Sequence, residues 1–155
     1  YTRGMSFVDM AYLQKKNLNS GVLSYRRRKT GQQLYVKWER CMQEIVDKYD
    51  TSGTDYLLPI LNTNNLLQAR KQYIYVGQRI NCNLKLISQR LQLSINLTMY
   101  VARHSWASVA KMEKVPLSII SESLGHESES TTRIYLASLD NDVIDEVNHM
   151  IINLL

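Results

Sequence analysis

Apolar residues recur with helical spacing over most of this chain. Trp38, Cys41, Met42, Ile45, Val46 and Tyr49 form one stripe, closed by the turn residues Asp50-Thr51-Ser52-Gly53. Ala69, Tyr73, Val76, Ile80, Leu84, Ile87 and Leu91 follow at spacings of four and three. They predict a long helix whose apolar face is core. Gly77 inside it costs about 1 kcal/mol relative to alanine, which marks a close approach of a neighbour. Leu97 and Thr98 open a further helix, with Met99, Ala102, Trp106, Val109 and Ala110 on its buried side. Pro116 suits the first turn of the next helix and Gly125 its C-terminal stop. Ser128 or Ser130 can cap a short helix carrying Tyr135. Val143, Ile144, Val147, Met150, Ile151 and Leu154 predict an amphipathic C-terminal helix capped by Asp140 or Asn141.

The first sixty residues are organised differently. Ser6 caps a short helix reaching Leu13, with Asp9 in the first turn where the helix dipole favours negative charge. Gly21 to Tyr25 alternates like a strand and runs into the basic block Arg26-Arg27-Arg28-Lys29. After Thr30-Gly31, Gln33-Leu34-Tyr35-Val36 returns as a second strand, so the basic block lies at a hairpin tip. Tyr56 to Ile60 is a brief strand or a buried turn. The expected fold class is mainly α with a small antiparallel β-sheet (α+β), a sheet of two or three strands, in one domain over residues 1–155.

Composition narrows the function classes. A chain of 155 residues with 45% hydrophobic and 21% charged residues can bury a sizeable core. No apolar run is long enough to span a bilayer and no signal-peptide pattern opens the chain, which predicts a cytoplasmic location and no membrane partner. Cys41 and Cys82 are far apart and outside any metal-like cluster, as expected of reduced, partly buried thiols. The net charge of +5 permits a polyanionic partner. Basic residues greatly outnumber acidic ones up to Arg40.

The segment Tyr100–Tyr135 concentrates chemistry. Arg103 lies one turn after Tyr100, His126 follows Leu124-Gly125, and Tyr135 comes nine residues later. Arginine clamps phosphate oxygens, imidazole adds a hydrogen bond and a phenol can be the nucleophile, so this set suggests phosphate chemistry without a metal or other cofactor. Here the chain resembles the catalytic half of the tyrosine recombinases, the phage-type integrases. That family carries His-x-x-Arg, then Leu-Gly-His, then a tyrosine about nine residues on. The present run reads Tyr100-x-x-Arg103, Leu124-Gly125-His126, Tyr135, with tyrosine in place of the first histidine.

The resemblance implies a role for each residue. Tyr135 attacks a DNA phosphodiester, giving a 3′-phosphotyrosyl intermediate and a 5′-hydroxyl. Arg103 holds the non-bridging oxygens and His126 donates to the phosphate or moves a proton. Lys29 on the hairpin is the general acid for the leaving oxygen. Tyr100, a neutral phenol, hydrogen-bonds the phosphate, and proton removal passes to His126 or water. His104 is structural, hydrogen-bonded behind the site. Arg26, Arg27 and Arg28 contact the phosphate backbone. The family's first arginine aligns with Ser6, which leaves Arg3 and Arg27 as candidate replacements. The string from Arg3 to Asp9 resembles integrases of conjugative and mobilisable elements, which also carry serine in that slot.

The partner implied is double-stranded DNA. The C-terminal helix packs either on its own domain or on a neighbouring protomer of a tetramer. Tyr1-Thr2-Arg3-Gly4-Met5 reads like the middle of a folded unit, so a longer parent with an upstream core-binding domain is expected. The rivals are a type IB topoisomerase, a catalytically impaired DNA-binding module of the same fold, and a helical domain whose partner is another protein.

Overall fold

A computed structural model describes residues 1–136; the C-terminal helix expected over 143–154 lies outside the described residues. Helix α1 spans Phe7–Ala11, and Ser6 caps it by accepting from the Asp9 amide. A 3-10 turn at Lys15–Asn17 leads into β1 (Leu18–Asn19), β2 (Val22–Arg26) and β3 (Gln33–Lys37), an antiparallel sheet in the order β1-β2-β3. Four longer helices follow a shorter one: α2 (Arg40–Val46), α3 (Leu66–Arg90), α4 (Met99–Met112), α5 (Leu117–Leu124) and α6 (Glu129–Leu136). The mainly helical fold with one small antiparallel sheet is the one the sequence predicts.

Strand alternation decides what the hairpin buries. In β2, Leu23 and Tyr25 point inward and pair with Val36 and Leu34 of β3. Together with Met5, Leu13, Met42 and Leu57 they form the core under the sheet. Leu23 is completely buried, and a leucine so placed contributes roughly 1.5–3 kcal/mol. A second cluster, Ala107, Ile120, Leu124 and Leu136, joins α4, α5 and α6. A third, Tyr56, Leu61 and Ala69, anchors the start of α3. Tyr56 to Ile60 is a buried turn rather than a strand, bridged to Gln14 at Tyr56.

Several expectations need correction. Helix α1 stops at Ala11 instead of Leu13, and α2 is shorter than the Trp38–Tyr49 stripe, because Trp38 still pairs with the sheet through Gly21 O at 2.8 Å. Pro116 is the N-cap of α5, one position earlier than expected. The stripe on α3 is not continuously buried: Tyr73 packs, but Ile87 is 45% and Leu91 63% exposed. A helix of 25 residues outruns the described elements that pack on it. On α4 the buried positions are Arg103 and Ala107, whereas Val109 is exposed. Cys82 is exposed; Cys41 is partly buried as expected. Gly77 does mark a close approach, since a Cβ there would lie 3.1 Å from Phe7 Cε1. No described helix is long and apolar enough to cross a membrane.

Candidate active site

Two chain ends of secondary structure meet at this site. Gly125 ends α5 in the left-handed region at φ +64°, and its carbonyl turns outward instead of continuing the helix. That carbonyl accepts from Arg27 Nη1 and from Thr30 Oγ1, the latter at 3.2 Å. The hairpin tip is thereby tied to the Leu-Gly-His turn almost a hundred residues later. A side chain at 125 has no room, since its Cβ would stand 2.8 Å from Arg27 Cδ.

Arg103 is nearly buried and held by backbone. Its Nη1 donates to Gly4 O, and its Nη2 donates to Leu124 O at 2.7 Å. The same Nη2 lies 3.2 Å from His126 Nε2. On the other side of the ring, His126 Nδ1 is 2.8 Å from Thr132 Oγ1, a fully buried hydroxyl on α6. Tyr135 lies one helical turn further along α6.

Arg27 shares this burial, at 6% exposure. Its Nε lies 4.0 Å from Asp9 Oδ2 and makes no hydrogen bond among the described residues. Asp9, itself buried, accepts from the Ser6 hydroxyl at 2.6 Å and from the Arg28 amide at 2.8 Å. One carboxylate thus couples α1 to the hairpin. Arg27, Lys29, Tyr100, Arg103 and His126 all line one cavity of about 420 Å³, with Ser6 on its wall.

Electrostatics follow from this crowding. Burial, then the charges of Arg103, Arg27 and Lys29, push His126 down to about 4, so the ring is neutral. Burial and Arg103 also lower His104. Burial, reinforced by Asp9, pushes the Tyr25 phenol up to about 12. Tyr25 is a core hydroxyl rather than a nucleophile.

The expected site residues therefore divide. Arg103, His126, Lys29, Tyr100 and Arg27 come together on one cavity. Tyr100 is exposed and stacks edge-on against His104, with ring centroids 4.3 Å apart. Arg3 is exposed, reaches the Tyr35 carbonyl at 3.3 Å, and is not among the residues lining the cavity. Arg26 and Arg28 are exposed on the tip. Arg26 Nε donates to Gly31 O at 2.6 Å, and the Arg28 guanidinium sits 4.0 Å over the Tyr12 ring. Sequence reasoning singled out Asp9 for the helix dipole and for the family alignment, not as a partner of the hairpin, and Thr132 not at all. Arg27, a candidate from the sequence, is set apart from its basic neighbours by continuing the inward parity of Leu23 and Tyr25. Thr132 had no such signal within its run of serines and threonines.

An α+β domain with a buried arginine against a half-buried histidine and a basic hairpin folded onto them is the class of structure described so far. The chain belongs to the phage integrase family, whose sequence profile matches residues 1–142. No curated protein matches it. Among solved structures it is similar to XerA recombinase, at 18% identity and TM-score 0.64, over 97% of this chain and 54% of that one. It is also similar to XerH site-specific recombinase bound to palindromic difH substrate in a post-cleavage complex, at 19% identity and TM-score 0.67, over 95% and 42% of the two chains. A lambda integrase dimer bound to a COC′ core site matches at 16% identity and TM-score 0.51, over 86% and 39%. At these identities the likeness is one of fold, that of tyrosine recombinase catalytic domains. The chain spans about half or less of the length of these structures.

Proposed function

We propose that this chain is the catalytic domain of a site-specific DNA recombinase that cleaves and rejoins strands through Tyr135. The observation that carries the reading is the contact of Arg103 with His126 on a cavity to which the hairpin adds Arg27 and Lys29. Family membership and the DNA-bound XerH and lambda integrase structures support the same reading.

In this mechanism the scissile phosphate enters the cavity and displaces water. Arg103 and Arg27 neutralise its non-bridging oxygens and the further charge that builds up in the pentavalent transition state. The Tyr135 phenol gives its proton to His126 or to water. Burial and then the neighbouring cations hold His126 low, and the arriving phosphate offsets the cations, so the ring gains basicity when it is needed. A bond forms between the Tyr135 oxygen and phosphorus, the bond from phosphorus to the 5′-oxygen breaks, and Lys29 protonates the leaving oxygen. The reverse sequence rejoins the strand. The cationic groups of the chain supply the charge stabilisation, and the mechanism uses no metal ion or cofactor. Tyr100 hydrogen-bonds a phosphate oxygen. Arg26 and Arg28 contact the backbone of the double-stranded DNA.

Arg27, not Arg3, stands in for the arginine that Ser6 replaces. Arg27 is buried on the cavity, while Arg3 is turned to Tyr35. The reading extends to a parent protein with an upstream core-binding domain, acting in the cytoplasm as a tetramer on DNA through the C-terminal helix. It also places that parent on a conjugative or mobilisable element.

A nicked suicide substrate that traps cleavage tests the proposal. Wild-type protein should form a covalent adduct, Tyr135→Phe none, and Arg103→Ala at least about 100-fold less. Salt-sensitive DNA binding without an adduct under any condition would leave only a DNA-binding module. Relaxation of plasmids lacking any specific site would point to a topoisomerase.

A further inference from the structure

We propose that Asn81 is a further substrate-binding residue, donating from its side-chain Nδ2 to an oxygen of the phosphate that enters the cavity. Tyr73, Gly77 and Asn81 recur every four residues along α3, so they share one face of that helix. Tyr73 and Asn81 line the same cavity as Arg27, Lys29, Arg103 and His126, and the bare backbone at Gly77 admits Phe7, another residue of its wall. Helix α3 therefore supplies one side of the site. The orientation of the Asn81 carboxamide is fixed by its partner. The Met99 amide at the start of α4 can only donate, and it lies 3.1 Å from Asn81 Oδ1. The side-chain NH2 is thereby turned away from Met99, with two protons to donate. Nδ2 makes no hydrogen bond among the described residues and is not shut off from solvent.

Bonding the start of α4 accounts for the Asn81 oxygen but not for its nitrogen. Aspartate would accept from the Met99 amide equally well. It would also be favoured by the positive end of the α4 dipole and by the cations of the cavity. For an empty cavity the carboxylate is the more stabilising choice, whereas the neutral carboxamide leaves room for an anion to arrive. The charged donors are partly committed: Arg103 spends N–H groups on the Gly4 and Leu124 carbonyls, and Arg27 spends one on the Gly125 carbonyl. Asn81 adds a donor with no such commitment, and it does so without a further cation beside His126. This role rests on the reading of the cavity as the seat of the scissile phosphate. It extends that reading to α3, a helix that carries none of the motif residues.

Inorganic phosphate is the first probe, because it reports on the site without any DNA sequence or cleavage. In protein labelled with ¹⁵N-asparagine, the Asn81 side-chain NH2 signals are assigned by their loss in Asn81→Asp. They should move on titration with phosphate and stay in place with sodium chloride at equal ionic strength. Asn81→Asp itself keeps an acceptor for the Met99 amide and removes both donors. It should melt no lower than wild type, yet slow adduct formation on the nicked substrate roughly tenfold or more, the effect of losing a hydrogen bond to a charged acceptor. Asn81→Ala brings no charge and should be slowed as well, at a lower melting temperature. Asn81 signals that stay in place throughout the phosphate titration overturn the proposal, and this holds whether or not the variants fold. A folded Asn81→Ala with the wild-type rate of adduct formation also overturns it. Movement of the Asn81 signals with no adduct from wild-type protein would uphold the phosphate contact and refute the recombinase reading. An adduct with stationary Asn81 signals would do the reverse.

Discussion

Gly125→Ala should be among the most damaging single-methyl changes in this protein, through two costs that can be separated. The first is local. Gly125 sits at φ +64°, and a non-glycine residue in that conformation costs roughly 1–2 kcal/mol. The second is tertiary. The added Cβ would lie 2.8 Å from Arg27 Cδ and 3.0 Å from Leu34 Cδ1, so the Arg27 side chain must leave its place. Displacing it breaks the hydrogen bond to Gly125 O, a charge-assisted bond of about 1.5–3 kcal/mol. Relaxation recovers part of this, which leaves a net loss of roughly 2–4 kcal/mol, or about 4–16 °C in melting temperature for a chain of this size. Urea unfolding of four proteins reads both terms: wild type, Gly125→Ala, Arg27→Ala and the double variant. The steric part should vanish when Arg27 is already short, giving a coupling energy above about 1 kcal/mol, while the local strain remains. Additive losses, or a single-variant loss below about 0.5 kcal/mol, would refute the claim that this glycine exists to let the hairpin dock.

Two further outcomes follow from the same geometry. Asp9→Ala removes the acceptor for the Arg28 amide and the carboxylate beside the Arg27 guanidinium, and should cost roughly 2–4 kcal/mol in urea unfolding; a loss under about 1 kcal/mol would show that the carboxylate does not hold the hairpin. His126 binds its proton near pH 4 when folded and near 6.5 when unfolded, so the unfolded chain takes up more protons between those values. Stability should therefore fall as pH drops from about 6.5 to about 4, with no contribution from this group above that window. The full shift corresponds to about 3 kcal/mol, and solvent screening of a partly covered ring reduces it to roughly 1–2 kcal/mol. His126→Gln should flatten that part of the stability profile, and an unchanged slope in the variant would contradict the assignment.

What the sequence made legible was local. Caps at Ser6 and Thr98 and the left-handed stop at Gly125 were readable because each depends on one or two residues and a backbone angle. The motif spacing picked out Arg103 and His126, which do meet. Periodicity failed where burial depends on what lies opposite. The stripe on α3 has the correct spacing, yet Ile87 and Leu91 remain exposed because no described element reaches them. Arg103 defied its composition, being buried on α4 along with Ala107 where Val109 is exposed. Three polar atoms, Gly4 O, Leu124 O and His126 Nε2, make that burial tolerable, and none of them is visible as a partner from sequence spacing alone.

The choice between Arg3 and Arg27 shows how parity carries such information when it is followed past the end of a strand. Along β2 the inward positions are Leu23 and Tyr25, and the next in step is Arg27; Arg26 and Arg28 alternate outward. A block of four basic residues thus contains one buried cation, selected by position rather than by charge. Inward placement would be costly if nothing met the guanidinium. Asp9 and the Gly125 carbonyl meet it, and each is presented by a helix end: the first turn of α1 and the C-cap of α5. Serine at position 6 then has a use of its own, since its hydroxyl bonds Asp9 and caps α1. An arginine in that slot could not serve as this cap and would bring a third cation beside Arg27 and Arg103. On the proposed reading Ser6 and Arg27 are one solution, in which the hairpin supplies the cation that the helix start lacks. Restoring an arginine with Ser6→Arg should gain nothing unless Arg27 is removed as well.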